Sequence, residues 1–327
     1  MAHHIYGNDN MLAVGQAPWH GLGVTMATPP ASAAEALQIA GLNWEVKKEP
    51  LYTGDGTRVV IAGPANTKKN GEYGVIRRQD NQDMLGVVGP GYVPLQNADM
   101  GELFQPLIAD GSVSIETCGS LFNGRRVWML ARFGQNEVIE AGDEIAKYLL
   151  LAHGHDGTFA VRFGFTPIRV VCYNTLSAAS QSEESRLMRC LHTSGLADNL
   201  TVLRNAMQLG EQVFSLTAEQ YRKLQRTGCN HSDLREYARI VIEAAEDSKE
   251  WTAADAKKIA AIVENAKFGR GNSGALNWWS AYNGVTEFIC HQAGRKQDNR
   301  LDSAWFGDGK AVSSRALSQA ITMSGIA

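Results

Sequence analysis

Residues 126–133 read Arg-Val-Trp-Met-Leu-Ala-Arg-Phe, the clearest strand pattern in the chain. Alternate residues of a β-strand point to opposite faces of a sheet. One face of this strand is apolar and consists of Val127, Met129, Ala131 and Phe133. The other face consists of Arg126, Trp128, Leu130 and Arg132. The segment therefore predicts a strand that is buried on one side and carries basic and aromatic groups on the other.

Short β-prone runs surround this strand. Those before it are separated by Gly, Asn, Asp and Pro and occupy 44–52, 58–62, 73–78 and 84–88. After it, Gly154-His-Asp-Gly157 predicts a tight turn and 159–163 a further alternating strand, with Arg162 on the face away from Phe159. Such a series of short strands and turns is typical of an antiparallel β-meander.

Two helices are predicted to pack on these strands. Ser32 and Glu35 form a capping-box pattern, and Gly41 supplies a left-handed stop, so the first helix lies between them. The second opens at Asn97, and Pro106 predicts a kink or an early end because it lacks a backbone donor.

Helical patterning dominates from Thr166 onward. Thr166-Pro167 resembles a helix cap followed by proline, and we expect a helix from there through Ser180, although the β-branched run after it also suits a strand. Further helices are predicted at 195–214, 217–227, 232–248, 252–267 and 275–293, with a loop at 296–309 and a short helix from Ser313. The expected fold is α+β, with an α+β core domain at 1–190 and a helical region at 191–327.

Composition narrows the class of protein. The chain has 327 residues, 20% charged residues and a net charge of −3, and residues 1–170 hold 13 Lys and Arg against 17 Asp and Glu. A protein that coats nucleic acid by bulk charge is basic, so any such binding must use a local groove. No secretory signal or membrane span is evident, and five scattered cysteines without a CxxC pair fit a reducing compartment, so a cytoplasmic location in a host bacterium is expected.

Enzyme-like patterns are weak. His153, His155 and Asp156 include metal-ligating residue types, but they fall in the predicted turn and no further ligand pair follows, so a structural turn is the favoured interpretation. Cys172 lies in an apolar run, where cysteine behaves as a small hydrophobe. No phosphate-binding glycine loop is present. We expect no enzyme activity, no metal and no cofactor.

Basic residues recur in pairs at the predicted strands, namely Lys47-Lys48, Lys68-Lys69, Arg77-Arg78 and Arg125-Arg126. Basic side chains beside an aromatic ring on an open sheet suit single-stranded DNA, because arginine holds phosphates and rings stack bases. A merely solvated sheet face explains the same pattern equally well. The candidate phosphate contacts are Arg77, Arg78, Arg125, Arg126, Arg132, Arg162 and Arg169, and the stacking candidates are Trp128 and Tyr92.

Several motifs occur together along the chain. They are Gln16-Ala-Pro-Trp-His-Gly-Leu-Gly23, Tyr92-Val-Pro-Leu-Gln-Asn97, His155-Asp-Gly157 with Thr166–Leu176, Trp278 with Val285-Thr-Glu287, and Ser303-Ala-Trp-Phe-Gly307. With these motifs the chain resembles the phage/plasmid-like protein family, a domain of unknown function. That resemblance covers nearly the whole chain and implies no chemistry.

A helix at 32–41, Trp44 at a strand start, a meander and a closing helix after Thr166 also resemble the single-strand annealing recombinases of the RecT and Erf type. This resemblance implies a β-β-β-α core, a ring or filament of identical subunits, and a basic groove for single-stranded DNA without nucleotide hydrolysis. The expected function is thus non-catalytic annealing in bacteriophage recombination, with a phage exonuclease or a host single-strand-binding protein as further partners. The alternatives are a factor that binds a host protein and, last, a metal-dependent enzyme.

Overall fold

The computed structural model describes residues 11–15, 23–61, 71–169, 174–175, 188–190, 199–272, 274–294 and 300–326. The strands are β1 (Met11–Val14), β2 (Val24–Met26), β3 (Val46–Pro50), β4 (Val60–Ile61), β5 (Gly71–Glu72), β6 (Gly74–Arg78), β7 (Met84–Val88), β8 (Val113–Leu121), β9 (Arg126–Glu140), β10 (Asp143–Gly154), β11 (Val161–Arg169), β12 (Asn174–Thr175) and β13 (Met188–Cys190). The helices are α1 (Ala33–Ile39), α2 (Asn97–Ala109), α3 (Asn199–Arg226), α4 (His231–Val241), α5 (Ala253–Phe268), α6 (Trp278–Glu287), α7 (Arg300–Phe306) and α8 (Asp308–Ser324).

The main sheet has eight strands in the order β12-β11-β10-β9-β8-β1-β2, and β13 also pairs with β11. Its pairs are antiparallel except β1 with β2, which is parallel. Strands β3, β6 and β7 form a smaller antiparallel sheet, and β4 pairs with β5. The α+β class and the helical second half are confirmed.

The predicted alternation of residues 126–133 is confirmed. Val127, Met129, Ala131 and Phe133 lie in the core beneath α1, α2 and the small sheet. Trp128 and Leu130 lie in a separate core on the opposite face of the main sheet. A strand with apolar residues on both faces is expected to be buried on both sides of the sheet. Here one core lies on each side of β9.

The first two helices follow their sequence signals in part. Ser32 Oγ accepts the Glu35 N–H (3.1 Å), whereas the Glu35 carboxylate accepts from Ala31 (2.7 Å), so one half of the predicted capping box forms. Helix α2 opens at Asn97 as predicted, but it runs three residues past Pro106 to Ala109, so the early end is wrong. Proline removes a single donor within the final turns, which the remaining bonds of the helix tolerate.

The helix predicted from Thr166 to Ser180 is wrong where the structure describes it. Residues 161–169 form β11, which pairs along β10, and Asn174–Thr175 form β12. Residues 170–173 and 176–180 lie outside the described part of the chain. On one edge of β11, residues 161–163 pair with β13 and residues 168–169 pair with β12. Pro167 lies between these two stretches, so the N–H that it lacks is not needed for a hydrogen bond to either strand.

The predicted β-β-β-α annealing core is not confirmed, because the segment expected to close it as a helix begins as a strand. The boundary between 190 and 191 stays a prediction, since residues 191–198 lie outside the described part. In the part of the chain that is described, no helix has the length and apolar character needed to cross a membrane.

The helical half differs from prediction in three places. The helix predicted at 232–248 ends at Val241 as α4. The two helices predicted at 195–214 and 217–227 form one helix, α3. Thr217, the first residue of the second predicted helix, is buried inside α3 and donates its hydroxyl to the Val213 carbonyl (2.7 Å), a bond that lets threonine stay within a helix. The loop predicted at 296–309 contains α7, and α8 begins at Asp308 rather than Ser313.

The tip of the β9–β10 hairpin enters the helical half. Ile139 and Ile145 belong to the core formed by α3, α4, α5, α6 and α8. On the hairpin surface, Arg222 of α3 pairs with Glu137 (2.5 Å) and donates to the Val138 carbonyl (3.0 Å). The same pair of strands is therefore packed into both the sheet core and the helical core.

Candidate nucleic-acid interface

Three predicted residues come together at one end of the main sheet. Trp128 of β9 and Arg162 of β11 both lie opposite Ala152 of β10, and Arg126 lies opposite Gly154. Residues opposite one another in neighbouring strands share a face. Arg126, Trp128 and Arg162 therefore lie on the same face, as their strand patterns predicted for the first two.

Two guanidinium groups lie over the ring of Phe159. Arg126 is 4.8 Å and Arg162 is 4.6 Å from its centroid. Arg162 also lies 5.2 Å from the Phe306 ring, and Arg126 lies 5.1 Å from Phe122. Cations over aromatic faces are stabilised by the ring quadrupole. The predicted placement of Arg162 on the face away from Phe159 is wrong, because residues 155–159 form a bend that interrupts the alternation before β11 begins.

Helix α7 covers this end of the sheet. Asp302 forms an ion pair with Arg126, the Phe306 carbonyl accepts from Arg162 (3.3 Å), and Trp305 contacts Trp128 edge-on with centroids 5.9 Å apart. Trp128 is 2% exposed. The Trp128 ring therefore lies beneath α7 rather than on an open sheet face, and its role in stacking a base stays a prediction.

Lys310, at the start of α8, completes the basic group. Burial, and after it the charge of Arg162, lowers the pKa of Lys310 from 10.5 to about 8. Within the described residues no carboxylate pairs with its ammonium group. We call Arg126, Arg162 and Lys310, with the rings of Phe159 and Phe306, the cationic cluster.

Lys310 and Asp302 were missed by the sequence analysis. Both lie in or beside the segment that was predicted to be a loop, more than 140 residues from their partners in the sheet. The signal that was present is the Trp305-Phe306 pair, two large aromatic residues next to each other in an otherwise polar stretch, which is typical of a segment that packs on a core.

Arg77 and Arg78 do not join the cationic cluster. Arg77 bonds to the Glu49 carboxylate (3.2 Å) and to the Gln82 carbonyl (2.7 Å). Arg78 is buried, lies 4.3 Å from the Trp44 ring centroid and makes two hydrogen bonds to Asp80 (3.0 and 2.6 Å). Arg78 therefore lies inward beside Trp44 rather than on the surface, and its role as a phosphate contact stays a prediction.

The other predicted contacts are scattered. Arg125 is exposed beside Arg126, whereas Arg132 lies about 20 Å along the same strand and bonds to Asn136 (2.7 Å). Arg169 ends β11, and its side chain lies outside the described part. Tyr92 donates to the Gly154 carbonyl (2.7 Å), and burial, with the charge of Asp156, raises the pKa of its hydroxyl.

The turn predicted at residues 154–157 is confirmed. Asp156 accepts from the backbone and the hydroxyl of Thr158 (2.9 and 2.7 Å), and Gly157 has a positive φ of 76°. His153 and His155 are fully buried, and His155 Nε2 lies 3.1 Å from Asn97 Oδ1. Over the described ranges no group of three or more His, Cys, Asp or Glu side chains is arranged to hold a metal ion.

We expect Lys310 to make stability depend on pH. A lysine whose pKa is about 8 in the folded chain and 10.5 unfolded binds fewer protons when folded, so stability should rise with pH between about 8 and 10.5. Lys310→Met should raise the free energy of unfolding at pH 7 by about 1–3 kcal/mol and flatten this rise. Urea unfolding of the parent and of Lys310→Met at several pH values measures the free energy of unfolding. If that free energy changes with pH equally in both proteins, Lys310 does not have the lowered pKa.

Comparison with curated proteins finds no match, and comparison with solved structures finds none either. The resemblance to annealing recombinases receives no support from them. A family model matches residues 84–305, which is more than half of the chain and includes β9, β10, β11 and α7 up to Trp305. The chain therefore belongs to the family described as Domain of unknown function (DUF932).

Proposed function

We propose that the protein binds the phosphate backbone of single-stranded DNA at the cationic cluster and acts, as a homo-oligomer, in strand annealing during phage recombination without catalysis. The observation that supports this proposal is that Arg126 and Arg162 both lie over the Phe159 ring at one end of a sheet, with Lys310 near enough to Arg162 for that charge to lower the pKa of the lysine. Arginine and lysine beside aromatic rings are the groups that single-strand-binding surfaces use.

The cluster has properties that suit an anion. Arg126 already bonds to the Asp302 carboxylate, so a phosphate oxygen would take a place that an internal anion occupies. Lys310 is held near the positive Arg162, and a bound anion between them would relieve that repulsion. Arg125 is exposed next to Arg126 and would extend the contact along the strand.

The first experiment is light scattering after size exclusion, with and without a labelled single strand of about 40 nucleotides, at low and moderate salt. We expect a large assembly that binds DNA without sequence preference. Arg126→Gln with Arg162→Gln should weaken binding about tenfold and flatten its salt dependence, because fewer phosphate counterions are released. Lys257→Gln with Lys258→Gln on α5, two exposed lysines, is the control for the loss of two charges. If the folded Arg126/Arg162 variant binds single-stranded DNA as tightly as the parent protein, the cationic cluster is not the binding site.

Binding should also depend on pH. If phosphate binds beside Lys310, the protonated amine is the form that binds, and its pKa in the free protein is about 8. We expect affinity for single-stranded DNA to fall as pH rises from 7 to 9, and Lys310→Met to remove most of that fall. Affinity that is unchanged across this range in the parent protein would place the phosphate elsewhere.

A second function, binding of a host protein, is favoured by one observation. Met84, Val87 and Val93, in and after the edge strand β7, are 54%, 47% and 60% exposed. Exposed apolar side chains near each other in sequence suit a protein interface. A monomer that does not bind DNA at low salt would contradict the annealing proposal. Binding of a host protein would then be the remaining proposal.

A further inference from the structure

Helix α7 presents two hydrogen-bond acceptors to the cationic cluster. The Asp302 carboxylate forms an ion pair with Arg126 of β9, and the Phe306 carbonyl accepts from Arg162 of β11 (3.3 Å). Both acceptors belong to one helix of seven residues. A single short element therefore supplies partners to the two arginines through which the cluster would bind an anion.

The ion pair between Asp302 and Arg126 places an internal anion where an external one would bind. A carboxylate and a phosphate offer a guanidinium the same kind of partner, namely charged oxygen acceptors. The side chains of Arg126 and Asp302 are 23% and 19% exposed, so salt screens this pair less than it screens a fully exposed one. An anion that approaches Arg126 must therefore compete with Asp302.

Two donors on the face beneath α7 are not used by the covered arrangement. Arg126 Nε and the indole Nε1 of Trp128 are buried, and within the described residues neither has a hydrogen-bond partner. A cover with a purely structural role is expected to supply acceptors to the donors that it buries, because a buried unpaired donor destabilises the fold. Asp302 pairs with Arg126 through Nη1 and leaves these two nitrogens without an acceptor. An anion with several oxygens, such as a phosphate, would satisfy more of this face.

The backbone of α7 is attached to the helical half rather than to the sheet. Its nearest described elements by Cα distance are α8 and residues 288–292. Arg300, at the start of α7, donates to the Ala293 carbonyl (2.9 Å), and the Ser303 hydroxyl accepts the Gly309 N–H of α8 (3.0 Å). Separation of α7 from the sheet would break side-chain contacts, one ion pair and one hydrogen bond, and it would leave these attachments in place.

We propose that α7 is an autoinhibitory cover of the cationic cluster, and that a bound phosphate backbone displaces it from the sheet. The phosphates replace Asp302 and the Phe306 carbonyl as partners of Arg126 and Arg162, and the Trp128 ring is uncovered for stacking on a base. Displacement costs free energy, so the cover lowers the affinity of the cluster for anions. The identity of the anion as DNA rests on the proposed function, whereas the displacement of α7 by an anion does not.

The first test compares two variants of the full chain with the parent. Asp302→Asn removes the internal anion, and Trp305→Ala removes the ring that packs on Trp128. Each variant should bind a labelled single strand of about 40 nucleotides about tenfold more tightly, because less free energy is needed to displace α7. Asp308→Asn, at an exposed carboxylate that begins α8, is the control for the loss of one negative charge. Its affinity should stay within about twofold of the parent, since exposed charges are well screened.

Inorganic tripolyphosphate separates the cover from the DNA proposal, because it carries several phosphates but no base. In calorimetric titration the Asp302→Asn protein should bind it more tightly than the parent and the Asp308→Asn control do. Hydrogen exchange of the parent, followed by mass spectrometry, tests the displacement without any variant. Residues 302–306 should exchange faster at saturating tripolyphosphate, since the displaced helix loses its contacts with the sheet.

The outcomes distinguish the two proposals. Tighter binding of tripolyphosphate by Asp302→Asn, without DNA binding by any variant, would support the cover and contradict the annealing function. Equal DNA binding by the parent, Asp302→Asn and Asp308→Asn would overturn the cover and leave DNA binding in place. Unchanged exchange of α7 at saturating anion, or no binding of either ligand up to about 10 mM, would also overturn the cover. Circular dichroism verifies folding, and Trp305→Ala with the exchange experiment decides the question if Asp302→Asn does not fold.

Discussion

Trp279→Phe is expected to lower the free energy of unfolding by about 2–4 kcal/mol. Trp279 of α6 is 1% exposed, and its indole N–H donates to the buried Asp143 carboxylate at the start of β10 (2.8 Å). The phenyl ring leaves part of the indole volume empty and removes a donor from a carboxylate that water does not reach. Loss of a bond to a buried charged group costs more than loss of one to a neutral, exposed group.

Trp251→Phe is the matched control. Trp251 also donates its indole N–H, to the Ala245 carbonyl (2.8 Å), but it is only half-buried and its acceptor is neutral. We expect a loss of about 1 kcal/mol there. Urea unfolding followed by circular dichroism measures both variants. If Trp279→Phe costs no more than Trp251→Phe, the buried bond to Asp143 does not stabilise the junction of sheet and helices.

Gly284→Ala is expected to destabilise the protein by about 2 kcal/mol, although alanine favours a helix over glycine by about 1 kcal/mol. Gly284 lies in α6 where it crosses α5. An added methyl group would lie 2.6 Å from the Ile262 carbonyl oxygen, 2.8 Å from the Ala266 nitrogen and 3.0 Å from its Cα. These are backbone atoms, so no side-chain rotation relieves the overlap and the two helices must separate.

Gly228→Ala is the control for this substitution. The nearest atom to its added methyl group is the Leu276 carbonyl oxygen at 3.9 Å, an ordinary contact. Its effect should stay within about 0.5 kcal/mol. Thermal unfolding of both variants compares them directly. A Gly284→Ala protein as stable as the parent would mean that α5 and α6 adjust their separation at little cost.

The sequence predicts best where one local rule decides the structure. Residues 126–133 alternate without interruption and are apolar on the face that packs beneath α1 and α2, so their strand and its orientation were predictable. Thr252, the first residue of the helix predicted at 252–267, caps α5 by accepting the Asp255 N–H (3.1 Å). At Phe159 the same reasoning failed, because a bend of a few residues shifts the alternation and nothing local marks where the strand begins.

The candidate site was predictable only in part, for two physical reasons. Adjacent residues in a strand point to opposite faces, so a basic doublet such as Arg77-Arg78 sends one member inward, and Arg78 indeed packs on Trp44. The partners of Arg126 and Arg162 come from α7 and α8, and contacts over such separations leave no periodic signal. The sequence therefore did not predict that α7 packs over Trp128, although Arg126 and Arg162 were among the candidate residues.

The long β9–β10 hairpin has a consequence for how the molecule comes apart. Leu149 and Leu151 of β10 are fully or almost fully buried in the sheet core, while Ile145 on the same strand is fully buried among the helices. If the helical half separates, Ile145 is exposed to water while the rest of β10 stays paired in the sheet. If the sheet opens, Leu149 and Leu151 are exposed while Ile145 stays buried among the helices. We therefore expect the sheet and the helical half to unfold together, so that a substitution in one core also lowers the stability of the other.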